Sequence, residues 1–285
     1  MDAPSAALIV RFGLGDRNDS VKESCKMLIL KWLNDYKNDV PKFLRLMDFE
    51  MYEEEAESLG YAVMEIVDRS ETVSHELSVA VRQHAPHWET SMSKLVSSEI
   101  LWSYIRCSYA KNNMSAIALS DFVDALVPEM VKICGLLQDA RKPALYSSAR
   151  CQMIVRYLLR LTTFLDTSDI CGCLELKKVC EEMLCDTNLP EMLVDPMLSS
   201  WLLASSFPSS SQSIEAAVAL SIKVIRVPGS APQSKPRVSD EYALPGDSDD
   251  EVDEDIEERL NLLSSIRCVF LSTICHLKNN FICKV

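Results

Sequence analysis

Residues 8–33, LIVRFGLGDRNDSVKESCKMLILKWL, constrain the fold more than any other stretch of the chain. Leu8, Ile9, Phe12 and Leu14 form an apolar lead into the polar turn of residues 15–20. A second stripe follows at Val21, Cys25, Leu28, Ile29 and Trp32, the spacing of one helix face. Two short helices with a tight elbow are therefore expected. Asp19 or Ser20 is expected to cap the second, because a short side-chain oxygen satisfies an amide that the helix leaves free. A hairpin of this size cannot bury its own apolar face. It has to stack on further helix pairs.

The rest of the chain repeats that theme. The 285 residues include only seven glycines, and no β-branched or aromatic run alternates cleanly between turn signals, so helices are expected throughout. No apolar run reaches the ~18 residues of a membrane span, and the first residues lack the basic region and apolar core of a signal peptide. An intracellular protein with no membrane contact is expected. Eleven cysteines, odd in number and mostly set in amphipathic patterns, read as small buried hydrophobes rather than a disulfide frame.

Helices are expected over 4–14, 19–34, a short piece after Pro41, 51–68, 71–83, 92–110, 121–139 (kinked or restarted at Pro128), 145–165, 170–185 capped by Asp169, 190–204 and 214–227. Their spacing gives about one hairpin per 35–50 residues, with poor internal repetition. Composition then shifts. The net charge of −13 belongs largely to residues 240–258, which carry eleven acidic and no basic side chains, leaving 31 acidic against 29 basic elsewhere. With four prolines between 228 and 255, that segment is expected to be a disordered acidic linker. Residues 256–285 are expected to form a final amphipathic helix that packs on the repeats, whose span is 1–227.

Two clusters invite a metal reading. Cys171, Cys173, Cys180 and Cys185 fall within fifteen residues, but at 100° per residue only Cys173 and Cys180 share a helix face, with Ile170, Leu176 and Leu184. Buried structural thiols are the better reading. His84, His87 and Trp88, with Glu89, surround Pro86, which favours a loop. No phosphate-binding glycine loop and no nucleophile elbow occurs. Hence no enzyme, metal or cofactor is expected. Arg11, Arg17, Lys22 and Lys26 are candidate contacts to a partner or to DNA at the first elbow; the plainer reading is a solvated face with local ion pairs to Asp19 and Glu23. Ser248, followed by three acidic residues, is a candidate phosphosite.

Six blocks together resemble one family. Residues 13–21 (GLGDRNDSV) with 28–33 (LILKWL) are similar to the "GL-DR-x-x-x-V … LL-x-WL" block of condensin complex subunit 3, the non-SMC CAP-G subunit. Residues 43–50 (FLRLMDFE), 97–102 (SSEILW), 127–130 (VPEM), 165–169 (LDTSD) and 189–194 (LPEMLV) resemble further blocks of that family in the same order. The resemblance spans about residues 10–200. It implies an all-α, HEAT-like α-solenoid of stacked antiparallel helix pairs. It also implies a non-catalytic subunit that binds the kleisin and, through it, the SMC ATPase subunits of condensin in mitotic chromosome condensation. Residence in the nucleus and on chromosomes, with a cytoplasmic pool, is implied too. Members of the family are several-fold longer, and their DNA-gripping half involves repeats upstream of these blocks. Two alternatives stay open: a HEAT or armadillo-type adaptor of another pathway, such as transport or phosphatase scaffolding, and a truncated fragment without function.

Overall fold

In the computed structural model the described residues are 2–45, 48, 51–69, 74–84, 86–142, 148–186 and 189–205. The 214–227 helix, the 228–255 linker, the 256–285 helix and Ser248 lie outside them. Eleven α-helices and one 3₁₀ turn make up the described residues, with no strand among them. No helix among them is long and apolar enough to cross a membrane. The chain divides into two compact units, Met1–Glu175 and Leu176–Val285.

In the first unit the elbow forms as its spacing requires. Helix α1 (Ala3–Leu14) and α2 (Asp19–Asp35) are joined by a four-residue turn. Gly13 lets them approach: a Cβ there would lie 2.6 Å from the Cys25 sulfur. The cap differs from expectation. Asn18, not Asp19 or Ser20, is the N-cap, its side-chain oxygen accepting from the Ser20 amide at 2.9 Å. The turn is two residues shorter than the polar run, so Asp19 and Ser20 already lie in the helix. At its other end α2 closes in a Schellman motif. The Asn38 amide donates to the Leu33 carbonyl at 3.1 Å and the Lys37 amide to Asn34 at 2.9 Å, with Lys37 and Asn38 at φ 57° and 62°.

Helix α3 (Val40–Leu44) starts with Pro41 in its first turn and Asp39 accepting from the Lys42 amide at 3.0 Å. Then come α4 (Glu53–Arg69), α5 (His75–Gln83) and α6 (Ser97–Asn113). Of the two outcomes expected at Pro128 within 121–139, a kink or a restart, the structure shows the restart. Ser115 caps α7 (Ala116–Leu126), and α8 (Met130–Ala140) begins two residues after Pro128, whose ring and missing amide prevent a continuous helix. Helix α9 spans Ala149–Thr162 and α10 Ile170–Leu184, with the Asp169 carboxylate accepting from the Gly172 amide at 3.0 Å as expected. Helices α2, α4, α6 and α9 pack side by side in sequence, while α1, α7 and α8 lie against that row. Pairs of contacts fix its direction. Gly60 meets Ile105 and Tyr61 bonds Ser108 from α4 to α6, while Tyr104 stacks on Tyr157 and Lys111 lies over Phe164 toward α9. Residue numbers rise together on each side, so α4, α6 and α9 run parallel.

The core of this unit is largely aliphatic, centred on Ile29, Leu33, Leu59, Val63, Ile105, Leu137, Val155 and Leu158, with Trp102 and Tyr157 buried among them. In the second unit, a 3₁₀ turn (Glu191–Leu193) leads directly into α11 (Val194–Ser205), where Pro196 is tolerated in the first turn. Trp201 is buried there, its indole N–H donating to Glu181 at 3.1 Å under Lys177.

Candidate interaction surface

The first elbow gathers the four basic residues named from sequence but does not leave them as one free stripe. The Arg11 guanidinium bonds Glu55 of α4 across the helix pair. Lys26 pairs with Glu23 at 3.0 Å and with Glu65 of α4 at 3.2 Å, and the Glu23 bond, joined by Glu65, pushes its ammonium up. Lys22 lies 3.4 Å from Asp19. Arg17 alone projects from the turn with no ion pair among the described residues. Arg11 and Lys26 thus hold α1 and α2 onto α4, while Arg17 and Lys22 face outward.

The most developed polar constellation joins α4 to α9 and has no counterpart in the sequence reading. Glu53 and Glu57 sit one turn apart on α4, and Arg156 and Arg160 one turn apart on α9; the two pairs meet in register. The Tyr157 hydroxyl lies between the carboxylates, 2.9 Å from Glu53 and 2.7 Å from Glu57, and donates its one proton to either. Burial and the two carboxylates push the Tyr157 phenol far up, so it stays a donor. The Arg160 guanidinium also lies 4.3 Å over the Tyr104 ring. Burial pushes the Tyr104 phenol up to about 12. The constellation therefore holds its protons and its charges. It locks helix to helix and has no group poised for transfer.

A second buried device fixes α5 to α6. Arg106, 2% exposed, donates to the carbonyls of Arg82 and His84, the free acceptors at the end of α5. Burial brings its guanidinium down to about 10, and no carboxylate among the described residues pairs with it. The Phe122 ring lies 5.4 Å away. The Arg106 Nε, the Trp102 Nε1 and the His84 Nε2 are buried with no hydrogen-bond partner among the described residues.

The residues that invited a metal reading are dispersed. His87 stands 3.2 Å from Glu89 in the loop after α5, while Trp88 donates to the Leu126 carbonyl at 2.8 Å. Cys173 and Cys180 are buried, Cys171 is exposed, and Cys185 is half-buried. Ile170, expected on their buried face, is exposed instead, as the first residue of α10. Among the described residues no group of three His, Cys, Asp or Glu side chains could hold a metal ion. Burial pushes the thiols of Cys107 and Cys134 up to about 12, which makes them poor nucleophiles.

What the surface offers instead is apolar. Leu8, Ile9 and Phe12 of α1, Val21 and Met27 of α2, Ile117 of α7, Val131 of α8 and Leu174 of α10 are all exposed. Nothing in the apolar periodicity separates these from core positions.

No protein-family model matches the chain, and no curated protein matches it. A solved structure does, described as "Crystal structure of the S. pombe condensin Cnd3-Cnd2 subcomplex". One of its chains aligns with 78% of this chain at a TM-score of 0.62 and 18% sequence identity. The alignment covers 29% of that longer chain. At this identity the similarity is one of fold: all-α, with HEAT-like stacking of helix pairs, as the sequence led one to expect.

Proposed function

We propose that this chain is a non-catalytic scaffold subunit of a condensin-type complex, binding an extended segment of a kleisin subunit in mitotic chromosome condensation. The observation that carries the reading is the fold similarity to a chain of the Cnd3–Cnd2 subcomplex over 78% of the length. Through the kleisin, the chain would be tethered to the SMC ATPase subunits, on chromosomes in the nucleus. Its own contribution would be shape. A row of parallel helices locked by Glu53, Glu57, Arg156 and Arg160 gives a rigid frame, and the apolar side chains exposed on α1, α2, α7 and α8 give an extended segment something to cover.

The test is co-expression with the kleisin from the same source. Stoichiometric co-purification that survives a high-salt wash supports the reading, because an interface built on apolar burial is insensitive to screening. A chain that is folded by circular dichroism yet elutes without the kleisin overturns it. That result would favour an adaptor of a transport or phosphatase pathway, or a fragment lacking its partner site.

A further inference from the structure

The exposed side chains of α1 form an ordered ridge. Ser5, Leu8, Ile9 and Phe12 follow the i, i+3, i+4, i+7 spacing of one helix face, and all four are exposed, Leu8 at 52% and Phe12 at 67%. Ala6, Ala7 and Val10 on the opposite face are buried. The ridge therefore points directly away from the packed body, and Val21 and Met27 of α2 broaden the exposed apolar surface of this hairpin.

The ridge is complementary to itself. Two copies of α1 laid antiparallel about a two-fold axis between Leu8 and Ile9 set Leu8 against Ile9 of the second copy. They also set Phe12, the bulkiest member, against Ser5, the smallest. An isologous contact needs this pairing of large with small across the axis. Charge agrees with shape. Exposed Asp2 at the start of α1 comes opposite the turn after the end of the other α1, where exposed Arg17 has no ion pair among the described residues. The helix dipoles are antiparallel in the same arrangement.

We propose that α1 is a homodimerisation surface, occupied by α1 of a second copy of this chain. The contact is short, since twelve residues of helix span about 18 Å. The dimer is accordingly weak and reversible, at the low end of specific interfaces.

Sedimentation velocity on the full chain, over a dilution series reaching high micromolar concentration, tests it. The wild-type chain shows a concentration-dependent monomer–dimer equilibrium. Phe12→Glu weakens it by at least about tenfold, as loss of the bulkiest apolar anchor and burial of a charge in its place do. Because Phe12 is already exposed, that variant keeps the wild-type circular dichroism spectrum and melting temperature. Arg17→Asp weakens the dimer several-fold, and Asp2→Arg combined with Arg17→Asp restores it. A wild-type chain that stays monomeric throughout overturns the proposal, as does a Phe12→Glu variant that associates like the wild type. Kleisin binding is read in a separate experiment, so failure of either proposal is visible without the other.

Discussion

Replacing Arg106 tests how this fold closes a helix end inside its core. Arg106 bridges two carbonyls at the end of α5 with the two arms of its guanidinium and has no carboxylate partner among the described residues. Arg106→Met keeps the aliphatic stem and leaves both carbonyls without a donor. Each bond to a charged group is worth about 1.5–3 kcal/mol. Removing the cation also ends the cost of keeping it desolvated, visible in a guanidinium lowered to about 10, so the two bonds are not lost at full value. A net loss of about 3 kcal/mol follows, on the order of a hundredfold in the folded-to-unfolded ratio. Arg106→Lys keeps the charge but cannot fork between two acceptors; it reaches one carbonyl and loses about 1–2 kcal/mol. Urea unfolding followed by circular dichroism gives both values. Limited proteolysis gives the location, because the chain between α5 and α6 becomes the earliest cut. Arg106→Met within about 0.5 kcal/mol of wild type, or Lys costing as much as Met, would refute the two-carbonyl account.

Other outcomes follow from single contacts. Lys37→Gly raises stability by about 1 kcal/mol, since Lys37 holds a left-handed φ of 57° that glycine adopts without a Cβ clash; an unchanged or lower urea midpoint contradicts this. Asn18→Ala costs about 1 kcal/mol through loss of the α2 cap, whereas Asp19→Ala leaves the cap intact; equal effects on the urea midpoint would misplace the helix start. In a double-mutant cycle, Glu57→Gln and Arg160→Met show a coupling of at least about 1 kcal/mol, and additive losses would mean that α4 and α9 are not locked there. Alkaline pH weakens the fold. Cys107, Cys134 and Tyr104 keep their protons to about 12 when folded, whereas the unfolded chain releases them from about pH 8.5–10. The contribution of these three groups is therefore unchanged from neutral pH up to about pH 8.5 and is lost as pH rises toward 12. A urea midpoint at pH 10.5 equal to that at pH 8 would contradict it.

The helices were legible in the sequence because amphipathic spacing and capping residues are local signals. The elbow of residues 15–18, the Pro41 start and the Asp169 cap all follow from a few adjacent side chains. Pro128 marked a break but not its kind, since a kink and a restart leave the same residue in the same place. Partnership was not legible. Glu53 and Glu57 are two among several acidic side chains at the start of α4, and only the fold brings Arg156 and Arg160, about a hundred residues away, into register with them. Arg106 looked like any helix arginine until α5 ended against it. Ile170 and Phe12 fit apolar stripes as well as Ile105 does, because periodicity tells which face is apolar and not whether a neighbour covers it.

The scaffold reading meets its most direct test in a calorimetric titration of the purified full chain with the kleisin subunit, at low and at high salt. The account predicts one-to-one binding with a negative heat-capacity change, the mark of apolar burial, and an affinity that persists at high salt. Absence of heat from a chain that melts cooperatively, or binding that vanishes once salt is raised, would contradict it.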